Sequence, residues 1–345
     1  MELTKLNVIE ALRNVISFHD SDNIIDLGMV GNIEIQENSI SFDLVLSKNN
    51  EKAREILINA ATKTLREIFG NNLDVQITPV LEASKGAPSL NEVKHIIAIA
   101  SGKGGVGKST VAANLAIALS RAGKKVGLVD ADIYGPSVPT MFDLVETKPE
   151  VFEQGGKPII IPIEKYGVKV LSIGFFVTPE QPLIWRGPMA TGALNQLLGD
   201  GLWGKLDYLI VDLPPGTGDI QLTLAQVYKI SGAVIVTTPQ KVALADVKRA
   251  ASMFKTKELE IPLLGVIENM AYFTPEDMPE KKYYIFGTGY GEQFAKELSI
   301  PLIGKIPMVE AVAASGDKGS PIALDEKSPV TQAFDKIAEA VIKKF

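Results

Sequence analysis

The sequence predicts an α/β protein in two parts: a small α+β unit, then a larger unit whose mainly parallel sheet is flanked by helices. Three observations carry this reading. From His95 to Ile306, apolar strand-like runs alternate with helical stretches, the signature of a parallel sheet covered on both faces. Residues 1–81 lack that alternation. Between them, at 82–91, lies EASKGAPSLN, whose Gly, Pro and Ser mark a linker. A length of 345 residues allows two domains at roughly 150 residues each.

In the small unit, Leu6, Ile9, Leu12, Val15 and Ile16 fall at helical spacing. Asn32 to Leu46 alternates like two strands around Glu37-Asn38. A second helix is expected from Glu51 to Phe69, with Ile56, Ala60, Leu65 and Ile68 inward and a stop at Gly70. Asp74–Val80 reads as a third strand. In the larger unit, residues 92–345, the strand candidates are His95–Ala100, Val126–Val129, Val168–Ile173, Tyr208–Val211, Ala233–Thr237, Leu263–Ile267 and Leu302–Ile306. A closing helix carries Val330, Phe334, Ile337, Val341 and Phe345 on one stripe, as expected of a helix docked on its own core.

Composition narrows the chemistry. The chain has no cysteine, which rules out disulfides, thiol nucleophiles, zinc–cysteine sites and thiolate-held iron–sulfur clusters within it. Its two histidines, His19 and His95, leave little scope for a multi-histidine metal site. A net charge of -6 argues against a nucleic-acid coat. No apolar run approaches the roughly 18 residues of a membrane span, and MELTKLNVIEALRN lacks a signal peptide's apolar stretch. The expectation is a cytoplasmic protein with no nucleic-acid or membrane partner.

The strongest motif is Gly102-Lys103-Gly104-Gly105-Val106-Gly107-Lys108-Ser109-Thr110. It satisfies G-x-x-x-x-G-K-S/T, follows the apolar run HIIAIA and opens the helical stretch TVAANLAIALSRAG. Such a loop curls backbone N–H groups round a phosphate at a helix N-terminus. Lys108 is expected on the β- and γ-phosphates and Ser109 on Mg²⁺. Asp130 and Asp132 end the strand of KVGLVDAD, and Asp212 ends LDYLIVD, four apolar residues and then an acid. Carboxylates at strand C-termini beside a phosphate loop can hold Mg²⁺ or orient water. The run from Asp212 to Asp219, DLPPGTGD, joins rigid prolines to permissive glycines and reads as a switch.

The second lysine, Lys103, makes the loop resemble the deviant Walker A of the Mrp, MinD, ParA and nitrogenase-iron-protein superfamily. There the early lysine reaches a second subunit's phosphates. LVDADIYGPSVP, IWRGPM around Trp185 and Arg186, DLPPGTGD, TTPQKVALADVKRA, ENMAYF and YYIFGTGYGE stand in the order of Mrp/ApbC-type proteins. VIEALRNVISFHDSDNIIDLGMVGNIEI resembles the small SufT/PaaD-related domain that many of these proteins carry in front.

The resemblance implies a P-loop NTPase that binds and slowly hydrolyses Mg-ATP as a homodimer. It implies a carrier of iron–sulfur clusters, which works with scaffold and apo-client proteins. It assigns Asp132 to water activation, Asp130 and Asp212 to metal support, Asn269 to adenine and the Pro307 backbone to the same base. The family also places C-x-x-C between the M-x-Y-F and Y-x-I-F-G segments, where this chain reads Phe273 to Glu280, FTPEDMPE. The small domain's cysteine is replaced by SKNNEK after Leu46. Glu276, Asp277 and Glu280 form either a hard-cation site or a solvated acidic loop. Two readings follow: an ATPase of cluster assembly, homodimeric or paired with a cysteine-bearing relative, or a MinD/ParA-like adaptor ATPase that recruits a partner.

Overall fold

The computed structural model describes the chain except residues 1–2, 17–22, 28, 37–38, 47–50, 82–89, 155–156, 177–186, 276 and 279. It divides into two compact units, Met1–Lys85 and Gly86–Phe345. Most of the expected linker lies outside the described residues.

The first unit runs α1 (Lys5–Leu12), β1 (Val30–Gln36), β2 (Ser39–Leu46), α2 (Glu51–Phe69) and β3 (Asp74–Leu81). β2 pairs antiparallel with β1 and parallel with β3. Ile40, Phe42 and Leu44 of β2, every second residue, pack against the helices. The helical faces differ from the sequence expectation. α1 stops at Leu12, where the Asn14 side chain donates to the Ala11 carbonyl at 3.1 Å. Its inward residues are Val8, Ala11 and Leu12, while Leu6 and Ile16 are exposed. In α2 the inward stripe is Leu57, Ala61 and Leu65, at four-residue steps, and Ile56 points outward.

The second unit is built on an eight-stranded sheet among the described residues. Its elements begin with β4 (Val93–Ser101), α3 (Lys108–Arg121), β5 (Val126–Asp130) and the short α4 (Val138–Met141). Three strands absent from the sequence reading follow: the hairpin β6 (Val151–Gln154) and β7 (Lys157–Ile160), then β8 (Ile163–Lys165). β8 lies antiparallel on β9 (Val168–Ser172), the sole exception to parallel pairing in this sheet among the described residues. Next come α5 (Gly187–Gly199), β10 (Leu206–Asp212), α6 (Asp219–Val227), β11 (Gly232–Thr237) and α7 (Lys241–Phe254). The unit closes with β12 (Leu263–Glu268), α8 (Tyr290–Leu298), β13 (Leu302–Lys305), α9 (Glu310–Asp317) and α10 (Pro329–Ile342).

The strands' two-residue period splits the apolar interior. Ile96, Ala98 and Ala100 of β4 face the layer that holds Leu194, Leu224, Val247 and Phe294. Ile97 and Ile99 face α3 and α10, where Val330, Phe334, Ile337 and Val341 are buried as expected. Phe345 lies beyond α10 and stacks on His95 at 4.1 Å.

Topology then positions the site. β4 is central, and the chain passes from it over β10 to β5, while β11 joins its other edge. Strand order therefore diverges at the C-terminal end of β4, which is where open parallel sheets form their ligand crevice.

Candidate functional site

Residues 102–107 leave β4 at that end and deliver Lys108 as the first residue of α3. Gly107 stands at φ 78°, a left-handed turn that glycine adopts without strain. A Cβ there would overlap the Asn269 amide, and one on Gly102 would overlap the α7 backbone at Asp246. Gly104 and Gly105, by contrast, have open space before them. The loop is thus packed from behind and bare in front, the form a backbone needs to wrap a phosphate.

Two strand ends, those of β5 and β10, bring carboxylates to the loop. Lys108 Nζ lies 2.6 Å from Asp212 Oδ1 and 3.4 Å from Asp132 Oδ2. All three side chains are buried. Burial pushes the Asp212 carboxyl up, and the Lys108 ammonium and Ser109 hydroxyl beside it pull it back. Asp132 Oδ1 and Asp212 Oδ2 are buried without a hydrogen-bond partner. One ammonium faces two carboxylates here, each with an oxygen to spare. A hard cation supplies what is lacking, and Mg²⁺ suits one or two carboxylates plus a hydroxyl. The residues present fit it.

Asp130 is held by the protein's own donors. Its Oδ1 accepts from the Asp132 N–H at 3.2 Å, and its Oδ2 from the Val138 N–H and the Ser172 hydroxyl at 3.1 and 3.0 Å. Both oxygens are engaged, and the residue is fully buried. Through these bonds Asp130 ties the backbone at Asp132 and Val138 to the end of β5. Burial, and then Asp212, push its carboxyl up to about 7.

Two cavities meet at the loop. One, about 210 Å³, is lined by Lys103, Gly105, Lys108, Ser109 and Asp132, with Pro215 of the switch on its rim. The second, about 520 Å³, is more apolar and holds Asn269, Met270, Pro307 and Met308. Gly107, Thr110, Ser137 and Met141 line both. The smaller, polar hollow thus adjoins the larger one, and Asn269 and Pro307, single positions in sequence, meet in the larger one's wall. Asn269 Nδ2 donates to the Val106 carbonyl at 2.8 Å, so this residue also braces the loop.

Residues 212–219 are tied to the loop by hydrogen bonds. Gly216 N–H donates to the Ser101 carbonyl at 3.0 Å, and Ser101 Oγ donates to the Lys103 carbonyl at 3.0 Å. Lys103 Nζ donates to Gln240 Oε1 at 3.1 Å. The sequence reading singled out neither Ser101 nor Gln240. Gln240 becomes a neighbour of the loop only because β11 pairs with β4, and nothing in the spacing announces that.

Residues matching the NUBPL iron-transfer P-loop NTPase family span 92–342, about three-quarters of the chain. The chain belongs to that family. Residues 5–77 match a second family, the iron–sulfur cluster assembly proteins. The iron–sulfur cluster carrier protein of Synechocystis is 43% identical over 99% of this chain and 98% of its own length. That of Aquifex aeolicus is 57% identical over 72% of this chain and 67% of its own length. Among solved structures, a nucleotide-binding protein of Archaeoglobus fulgidus in complex with ADP superposes with TM-score 0.61 at 38% identity, over 72% of this chain and 94% of that one. The cell-division ATPase MinD of Pyrococcus furiosus, at 21% identity and TM-score 0.52, shares the fold.

This membership bears out the expected Mrp/ApbC kinship with an assembly domain in front. Among the described residues, no helix of this P-loop NTPase is long and apolar enough to cross a membrane. Trp185, Arg186, His19 and Glu276 lie outside the described residues. Asp277 and Glu280 are exposed, and among the described residues no three acidic or histidine side chains are grouped to hold a metal.

Proposed function

We propose that this chain is a Mg-ATP-hydrolysing switch of iron–sulfur cluster assembly, cytoplasmic, closing as a homodimer around its nucleotide. The observation that carries the reading is the buried Lys108–Asp212–Asp132 group under a bare glycine loop. It is supported by ADP in the Archaeoglobus fulgidus relative and by the carrier names of the close homologues.

In this reading the backbone of Gly102–Thr110 and the Lys108 ammonium bind the phosphates, and the base sits between Asn269 and Pro307. Ser109 and Asp212 would hold Mg²⁺, whose charge would offset that developing on the transferred phosphoryl group. Asp132 orients the attacking water through the oxygen that lacks a partner. Lys103 of a second copy supplies a further cation, a role worth about 10³–10⁵ in rate when an arginine plays it. Turnover is slow and depends on protein concentration. Residues 1–81 act as a separate domain.

The chain has no thiolate, and carboxylates are poor ligands for cluster iron. We propose that the cluster, as cargo, is held by a partner: a scaffold, a client, or a cysteine-bearing relative in a heterodimer. The same absence keeps the adaptor reading in play, in which the ATP-closed dimer recruits a protein and touches no cluster. Phosphate release by wild type and by Lys108→Ala, at several protein concentrations, tests the ATPase. Equal rates would sink it. Anaerobic reconstitution with iron and sulfide, alone and with a scaffold protein, separates the other two: iron that co-purifies only in the mixture supports partner-held cargo, and none in either supports the adaptor.

A further inference from the structure

Lys103 has a place to rest inside its own subunit. Its Nζ donates to Gln240 Oε1 at 3.1 Å, a hydrogen bond strengthened by the ammonium charge. Gln240 is the residue before the first turn of α7, where a polar side chain ordinarily bonds the helix's free N–H groups. This one makes no such bond, and its oxygen goes to Lys103. Among the described residues, Lys103 makes no ion pair, although it lines the cavity that holds Asp132. The main chain beneath it is held on two sides. Ser101 Oγ binds its carbonyl, and Gly102 packs so closely on the α7 backbone at Asp246 that a Cβ has no room. Only the side chain is free to move.

We propose that Gln240 is a latch, a positioning residue that stores Lys103 in its own subunit and yields it when a second copy of this chain presents bound nucleotide. The destination of Lys103 rests on the function proposed above; the latch itself does not. A neutral amide suits the task. A carboxylate at the same place would add an ion pair to the hydrogen bond and hold the ammonium more strongly, and an alkyl group would not hold it. The order of events is then fixed. The approaching phosphates compete with one neutral oxygen for the ammonium, and the Lys103 backbone stays where it is.

The test uses the full-length, nucleotide-free chain as wild type, Gln240→Ala and the near-isosteric Gln240→Glu. Acylation of Lys103 by an amine-selective reagent is followed by peptide mass spectrometry, with the half-buried Lys124, remote in sequence from Gln240, as internal reference. The latch predicts Lys103 labelling about threefold faster in Gln240→Ala and about threefold slower in Gln240→Glu, with Lys124 unchanged. Unchanged Lys103 labelling in both variants overturns the latch.

Phosphate release against protein concentration is the second readout. The half-maximal concentration is expected to fall several-fold in Gln240→Ala and to rise in Gln240→Glu. Added salt should recover only the latter, since only there has an ion pair been introduced. Equal slowing of both variants, with matched losses of thermal stability, would mean that Gln240 merely supports α7, and would likewise overturn the proposal. A Lys103→Ala chain that keeps full turnover, beside Lys103 labelling that still follows Gln240, would leave the latch standing and remove the role in trans.

Discussion

Lys108 and Asp212 meet at 2.6 Å with 5% and 0% of their side chains exposed, so an ammonium and a carboxylate answer each other almost without water. Breaking such a pair from one side leaves a buried charge uncompensated, at a cost of about 3–5 kcal/mol. Lys108→Met is expected to lower the midpoint of urea unfolding by that order and to abolish hydrolysis. Asp212→Asn removes one of two crowded carboxylates and keeps an acceptor for Lys108. It should leave stability within about 1 kcal/mol while abolishing Mg-dependent turnover. Matched stability losses in the two variants would contradict this asymmetry.

Asp130 separates shape from chemistry. An asparagine there keeps one acceptor and turns an N–H₂ toward donors that now point at oxygen. Asp130→Asn should cost about 1–3 kcal/mol per group left unsatisfied, measured by calorimetry of the nucleotide-free chain. Residual turnover should survive at temperatures where the variant is folded. Complete loss in a fully folded variant would return Asp130 to the metal.

The same residue gives a pH dependence of definite sign. Its carboxyl is raised in the fold, to about 7 from an ordinary 3.8, by burial and then by Asp212. A raised group favours the folded state fully below the unfolded pKa and loses that contribution as pH climbs through the folded one. The nucleotide-free chain should therefore lose stability from about pH 4 to 7 on this account. Urea midpoints across that range should show a shallower decline in Asp212→Asn, which removes the second cause.

Two glycines of the loop should behave differently. Gly107→Ala places a Cβ on the Asn269 amide and strains a φ of 78°, so both fold stability and nucleotide affinity should fall, the former by about 1–3 kcal/mol. Gly104→Ala meets no atom within 4 Å and should leave thermal unfolding unchanged. Any loss it shows in isothermal titration with ADP then reports the phosphate's own need for space.

Much of this was legible because it is local. The loop signature, the acids at the ends of β5 and β10 and the apolar stripe of α10 are each written within a few consecutive residues, and the structure assembles them by simple strand adjacency. What escaped is what depends on distant partners. Leu57 rather than Ile56 faces inward because α1 and β3 decide which side of α2 is covered. The β6–β7 hairpin and the antiparallel β8 are short strands whose residues do not alternate cleanly. Asp130 and Asp132 look alike in sequence, and only Ser172, from a neighbouring strand, and Val138 separate a carboxylate bonded within the protein from one with a partnerless oxygen.

Gly102 gives the contact with α7 one last consequence. Because its backbone lies flush against that of Asp246, the root of Lys103 cannot travel toward a second molecule. The lysine is a tether of fixed length, its reach set by a four-carbon stem. On the proposed role of Lys103, a companion docked beyond that radius goes unanswered however tightly it adheres, and proximity is measured before chemistry.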